Sequence, residues 1–141
     1  MGLLIPHRVG ASRIHGQGVF SLDRLERGTL LWRFEPACDS AVRLSGLPLT
    51  QQQELLHFGY TNPRRPGWVI VCGDSARFWN FPPPGCPANA VLSPRLAHGE
   101  HLVIAARTIS AGEELLIAPD SDADYRRKLT HLLAEPLTPR S

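Results

Sequence analysis

The sequence predicts one mainly β domain with short helices, and three observations carry that prediction. With 141 residues the chain suits one hydrophobic core and not two. Its apolar stretches are short or alternating, closer to strand period than to a sustained helical period. Thirteen prolines and twelve glycines break them up, which is the punctuation of a compact, loop-rich β domain. Apolar residues at 43% and charged residues at 20% are globular proportions, so the chain is expected to fold by itself.

Taken in order, the first third reads as two strands. Gly18-Val19-Phe20-Ser21 and Thr29-Leu30-Leu31-Trp32-Arg33-Phe34 are separated by charged and glycine turn residues and read as the arms of a β-hairpin. Thr50-Gln51-Gln52-Gln53 has capping-box spacing ahead of Leu55, Leu56 and Phe58, which predicts a short helix over residues 50–59 within an insert of residues 48–62. From Trp68 onward short strands return, at residues 68–72, 90–93, 102–106 and 114–117. Ser121 can cap a last helix, on which Tyr125, Leu129, Leu132 and Leu133 fall on one apolar face. The domain is expected to run over residues 1–135, with residues 136–141 as a frayed tail.

Charge and composition exclude several classes. A formal charge of +2, with the arginines dispersed, offers no stripe for direct contact with nucleic acid. No run approaches the roughly 18 apolar residues of a membrane span, and the first ten residues lack a signal-peptide core, so the expected location is cytoplasmic. Cys38, Cys72 and Cys86 are widely spaced and odd in number, the pattern of reduced thiols rather than of a disulfide framework or zinc site. His98 and His101 flank Gly99 with no further ligand at metal spacing, so a turn between strands accounts for them and no metal is expected. Nothing in the sequence speaks to the oligomeric state.

Three longer segments carry a more specific signal. The first is Ser12-Arg13-Ile14-His15-Gly16-Gln17-Gly18-Val19-Phe20, followed by Leu25-Glu26-Arg27-Gly28-Thr29-Leu30-Leu31. The second is Ala76-Arg77-Phe78-Trp79-Asn80-Phe81, followed by Cys86-Pro87-Ala88-Asn89-Ala90. The third is Ala105-Ala106-Arg107-Thr108-Ile109-Ser110-Ala111-Gly112-Glu113-Glu114-Leu115-Leu116. Each alone is weak. In this order, they resemble the signature of SET-domain protein-lysine methyltransferases: a G-x-G-v-F strand with an I-x-x-G-x-x-I turn, then R-F-I-N-H-S-C-x-P-N, then A-x-x-D-I-x-x-G-E-E-L-T.

The resemblance implies a SET-domain β fold with a knot-like C-terminal crossing, S-adenosylmethionine as cofactor, and a lysine-containing protein or peptide as substrate. It implies cofactor-binding residues at His15, Gly16, Gln17 and Gly18, whose main chain would lie against the methionine part. It implies others at Arg77, Phe78, Asn80 and Phe81, with Asn80 at the amino acid end and the Phe81 backbone at the adenine. Read on their own, the glycines suit either a close backbone approach to a ligand or a simple hairpin turn. The Asn80 amide, set among apolar residues and a proline-rich loop, is either a recognition element or a loop clamp.

The chain departs from the family pattern at three places. Phe81 stands where histidine is usual, Pro82-Pro83-Pro84-Gly85 lengthens the following loop by three residues, and Pro119 occupies the position of the catalytic tyrosine. Tyr60, at the end of the helical insert, and Tyr125 are the two tyrosines in the chain and hence the candidates to supply a hydroxyl. The expected function is a SET-domain protein-lysine methyltransferase or a weakly active relative. The alternatives are a non-catalytic SET-like interaction module and an unrelated small β domain sharing only the I-x-x-G-E turn.

Overall fold

The computed structural model of the chain describes residues 2–118. The described strands form three small antiparallel sheets. In the first, β1 (His7–Ala11) pairs with β2 (Gln17–Ser21), with Val9 opposite Val19. In the second, β3 (Leu30–Trp32) lies beside β8 (Glu100–Ala105), which pairs on its other side with β7 (Ala90–Ala97). In the third, β6 (Trp68–Val71) is flanked by β4 (Ser40–Arg43) and by the two-residue β5 (Tyr60–Thr61). One helix, α1 (Leu49–Phe58), leads into β5, and a short 3-10 helix covers Ser75–Phe78.

The sheets share one core. Val19 of β2, Leu31 of β3, Ile70 of β6, Val103 of β8, and Ile109 and Leu115 beyond it belong to a single buried cluster. Leu3 and Ile5 from the N-terminal segment join it. Two turns with the same x-x-Gly pattern pair with each other: Leu25 and Ile109 exchange both backbone hydrogen bonds, each 2.8 Å. Thus the first and last thirds of the described chain are locked together before any side chain is considered.

Four expectations change. The segments around residues 18–21 and 29–34 are not arms of one hairpin, because β2 takes β1 as its partner and β3 takes β8. The capping box does not form: Pro48 is the N-cap, no side chain caps the helix, and Gln52 Nε2 donates instead to the Leu47 carbonyl. Strand β7 runs past 93 through Pro94, because a register shift between Leu92 and Leu96 removes the ladder position at which proline would lack a donor. Residues 114–117 make isolated bridges rather than a ladder: Glu114 with Phe20, Leu116 with Asn80 and Ile117 with Ala90. The helix expected after Ser121 and the tail at 136–141 lie outside the described residues.

Candidate functional site

The loop between β1 and β2 carries His15, Gly16 and Gln17, and Gly18 falls inside β2. Gly16 adopts a positive φ of 49°, and its carbonyl accepts the Ser12 N–H at 2.8 Å, closing a tight turn. Gly18 is extended and buried, and its missing side chain makes room for a neighbour: a Cβ there would fall on the Glu114 carboxylate. Here the close approach is made by another part of the protein.

Asn80 joins this turn to the third segment. Its Nδ2 donates to the carbonyls of His15 (3.1 Å) and Gln17 (2.9 Å) and to Glu114 Oε2 (3.0 Å). Its backbone carbonyl accepts the Ile117 N–H at 3.0 Å. Glu114 in turn accepts the Ser12 hydroxyl at 2.8 and 2.9 Å. The clamp reading of Asn80 is therefore correct as far as the nitrogen goes. Its Oδ1 has no donor among the described residues, and an acceptor oxygen beside a carboxylate suits an ammonium group.

Asn89 fixes the same segment from the other side. Its Nδ2 donates to Glu113 Oε2 (2.8 Å) and to the Glu114 carbonyl (2.7 Å), and its Oδ1 accepts the Leu116 N–H at 2.8 Å. Burial alone would raise the Glu113 carboxyl, but hydrogen bonds from Arg107 and Asn89, together with the Arg107 charge, hold it below its ordinary value.

A cavity of roughly 730 Å³, its open mouth included, lies against Asn80's neighbours. Arg77, Trp79 and Phe81 of the second segment line it, together with Tyr60, Glu100 and Trp32. Ile117 and Ala118 complete the wall next to Pro119, which itself lies outside the described residues. Trp79 carries a buried indole N–H that meets no acceptor among the described residues, a donor that a ligand oxygen or nitrogen can satisfy. Cys72 also lines the cavity, but burial pushes its thiol well above the ordinary value and Asp39 and Asp74 push it further, so it is no thiolate nucleophile at neutral pH.

The structure thus brings Tyr60, Arg77 and Phe81 to one cavity, and Asn80, His15, Gln17 and Gly18 to one cluster. The Phe78 ring packs against the core, with the Arg77 guanidinium 5.5 Å from its centroid. The His15 ring meets His57 of α1 edge to face at 6.3 Å. Tyr125 lies outside the described residues. Sequence reasoning missed Glu114 and Glu100 as site residues. Glu114 had a signal, the second glutamate of G-E-E-L, whereas nothing local marks Glu100.

No family model matches the chain, and no curated protein matches it. Solved structures do. A Plasmodium falciparum protein named as a candidate histone methyltransferase is 18% identical, with a TM-score of 0.58 over 82% of this chain and 93% of that one. The fold is that of SET domains. A humanized mutant of the Chaetomium thermophilum Polycomb Repressive Complex 2, bound to the inhibitor GSK126, matches with a TM-score of 0.59 at 18% identity. That match covers 80% of this chain and 14% of the other, so this chain corresponds to a small part of it. At these identities the likeness speaks for the fold.

Proposed function

We propose that this SET fold binds S-adenosylmethionine and acts as a protein-lysine N-methyltransferase or a weakly active relative. One observation carries the reading: three segments that resemble the family signature, far apart in sequence, converge at the Asn80–Glu114 cluster beside an aromatic cavity.

The donor set fits the cofactor. Glu114 and the Asn80 Oδ1 supply acceptors for the ammonium of its amino acid end, and the Arg77 guanidinium supplies a partner for its carboxylate. The faces of Trp79 and Phe81 suit a heteroaromatic ring, and the orphan Trp79 N–H suits one of its acceptors. When bound, the cofactor contributes an electrophilic methyl group on a sulfonium. The chain's own task is then to admit a lysine side chain through apolar walls, strip its water and hold its nitrogen in line. Tyr60 is the hydroxyl in the cavity wall that can take part in this.

A second reading, a non-catalytic interaction module with the same fold, is favoured by Pro119, which has neither a hydroxyl nor an N–H. Both readings place the protein in the cytoplasm with a protein partner, and they part over turnover. Calorimetric titration with S-adenosylmethionine and with its demethylated product tests the shared part. Saturable binding in the micromolar-to-millimolar range is expected, weakened at least about tenfold in Asn80→Ala, the scale of one buried hydrogen bond. Absence of saturable heat with either compound overturns the proposal.

A further inference from the structure

Beside the cavity two arginines are held next to each other. They belong to the turn of residues 62–67 between β5 and β6, which packs on the tight turn joining β7 to β8. Arg64 Nη2 donates to the Gly99 carbonyl at 3.1 Å, and Arg65 Nη2 donates to the neighbouring His98 carbonyl at 2.8 Å. Two guanidinium groups are thus anchored on consecutive carbonyls of one turn. Gly99, at a φ of 79°, makes the room, since a Cβ there would meet Arg65 Nη2 at 2.7 Å.

Buried polar groups fix this arrangement from the protein side. Asn62, 2% exposed, accepts the Arg64 backbone N–H at 2.9 Å and donates to Glu100 Oε2 at 2.9 Å. His101 holds Arg64 in turn. Its Nδ1 donates to the Ser93 carbonyl at 2.6 Å, which leaves the Nε2 lone pair to accept Arg64 Nη1 at 2.8 Å.

Like charges so placed repel each other. Among the described residues the one carboxylate within ion-pair distance of either arginine is Glu100, 3.6 Å from Arg65 Nε, and it already accepts from Tyr60 and Asn62. Arg43 adds further positive charge: it is exposed, and its guanidinium lies 5.5 Å over the ring of Trp68, whose N–H bonds the Arg65 carbonyl. The remaining N–H groups of two pre-fixed forks match carboxylate oxygens at little further ordering cost. Nucleic acid fits less well, because the net charge is only +2 and the other arginines are dispersed along the chain.

We propose that Arg64 and Arg65 bind the carboxylates of an acidic protein segment. Glu100 and His101 also line the cavity, so a segment bound there lies at its rim. Delivery of a lysine on the same segment into the cavity rests on the function proposed above, whereas the binding of carboxylates does not.

The test is fluorescence anisotropy of a labelled Glu-Gly repeat peptide titrated with the full chain, without cofactor, at physiological salt. Saturable binding is expected, at least about tenfold tighter than that of the Gln-Gly counterpart, the scale of one charge-assisted hydrogen bond. Arg64→Gln, at an exposed position, is expected to weaken it severalfold, and the pair Arg64→Gln/Arg65→Gln about tenfold or more. The pair Arg24→Gln/Arg27→Gln removes the same charge from another turn and is expected to leave the constant unchanged. Melting temperatures confirm that each variant folds, and Arg64→Gln alone carries the test if the first pair does not. No saturable binding of the Glu peptide, equal binding of the Gln peptide, an unchanged constant in Arg64→Gln, or an equal loss in the Arg24/Arg27 pair overturns the proposal. Tighter binding of a single-stranded oligonucleotide of the same charge overturns it as well. Calorimetry with S-adenosylmethionine reads the other proposal, so either can fail alone.

Discussion

At Gly18 a Cβ would land on the Glu114 carboxylate and press on the Ser12 Cβ at 3.1 Å. A carboxylate at the end of a flexible side chain usually yields to such a clash, but this one is held by the Ser12 hydroxyl and by Asn80. Gly18→Ala is therefore expected to destabilise the fold by about 1–3 kcal/mol, through the hydrogen bonds it displaces and the strain of overpacking. Adding Glu114→Ala should make the glycine change nearly neutral, a coupling that denaturant unfolding of the two single variants and the double variant measures directly. Additive losses would mean that the two residues do not compete for the same space. This pair also shows what was readable from residue types. Glycine and asparagine stood out in the sequence because backbone freedom and a paired donor-acceptor side chain have few uses among apolar neighbours. The buried Glu100 did not, because a glutamate's partners, here Tyr60 and Asn62 some forty residues earlier, exist only once β8 is set beside the third sheet.

Among the elements, α1 separates local signal from local cause. The polar-apolar pattern of residues 50–59 gave the right helix, within a residue of Leu49–Phe58, although the capping box invoked for its start is absent. Thr50→Ala should accordingly leave the melting temperature unchanged within about 0.5 kcal/mol equivalent, where a capping threonine would cost about 1 kcal/mol. A clear loss of stability would show that Thr50 caps the helix in solution. The strands missed by sequence, β1, β4 and β5, are exposed, edge-placed or two residues long, so no alternation of burial was written into them. Residues 114–117 are held by isolated backbone bridges and by side-chain ties around Asn80 and Asn89 instead of a ladder, and one tie next to them is pH-dependent. The Glu113 carboxyl is held below its ordinary value of 4.5 in the folded chain, so its contribution is complete above that value and is lost as the pH falls through the lower folded one. The stability difference between wild type and Glu113→Gln should be present near pH 6 and shrink as the pH approaches about 3. A difference that stays constant over this range would exclude Glu113 as the titrating group.

On the scale of the whole molecule, the question is whether this architecture turns over. A free lysine has a pKa near 10.4, so presenting it as a neutral amine at pH 7 costs roughly 4–5 kcal/mol before any bond is made. Apolar walls such as Trp32, Val103 and Ile117 lower that cost by disfavouring the ammonium, and alignment against the cofactor supplies more. Pro119 contributes no hydroxyl next to the wall formed by Ile117 and Ala118. Tyr125, six residues further on, lies outside the described residues. Binding without efficient turnover is the expected balance, and methyl transfer to protein lysine should be undetectable or very slow. A radiolabelled methyl-transfer assay on lysate proteins, with Tyr60→Phe and Tyr125→Phe beside the wild type, decides the matter. Slow transfer abolished by Tyr60→Phe would assign the residual activity to the cavity hydroxyl. Robust turnover indifferent to both changes would show that this fold aligns and deprotonates its substrate without a tyrosine, and would sink the expectation of low activity.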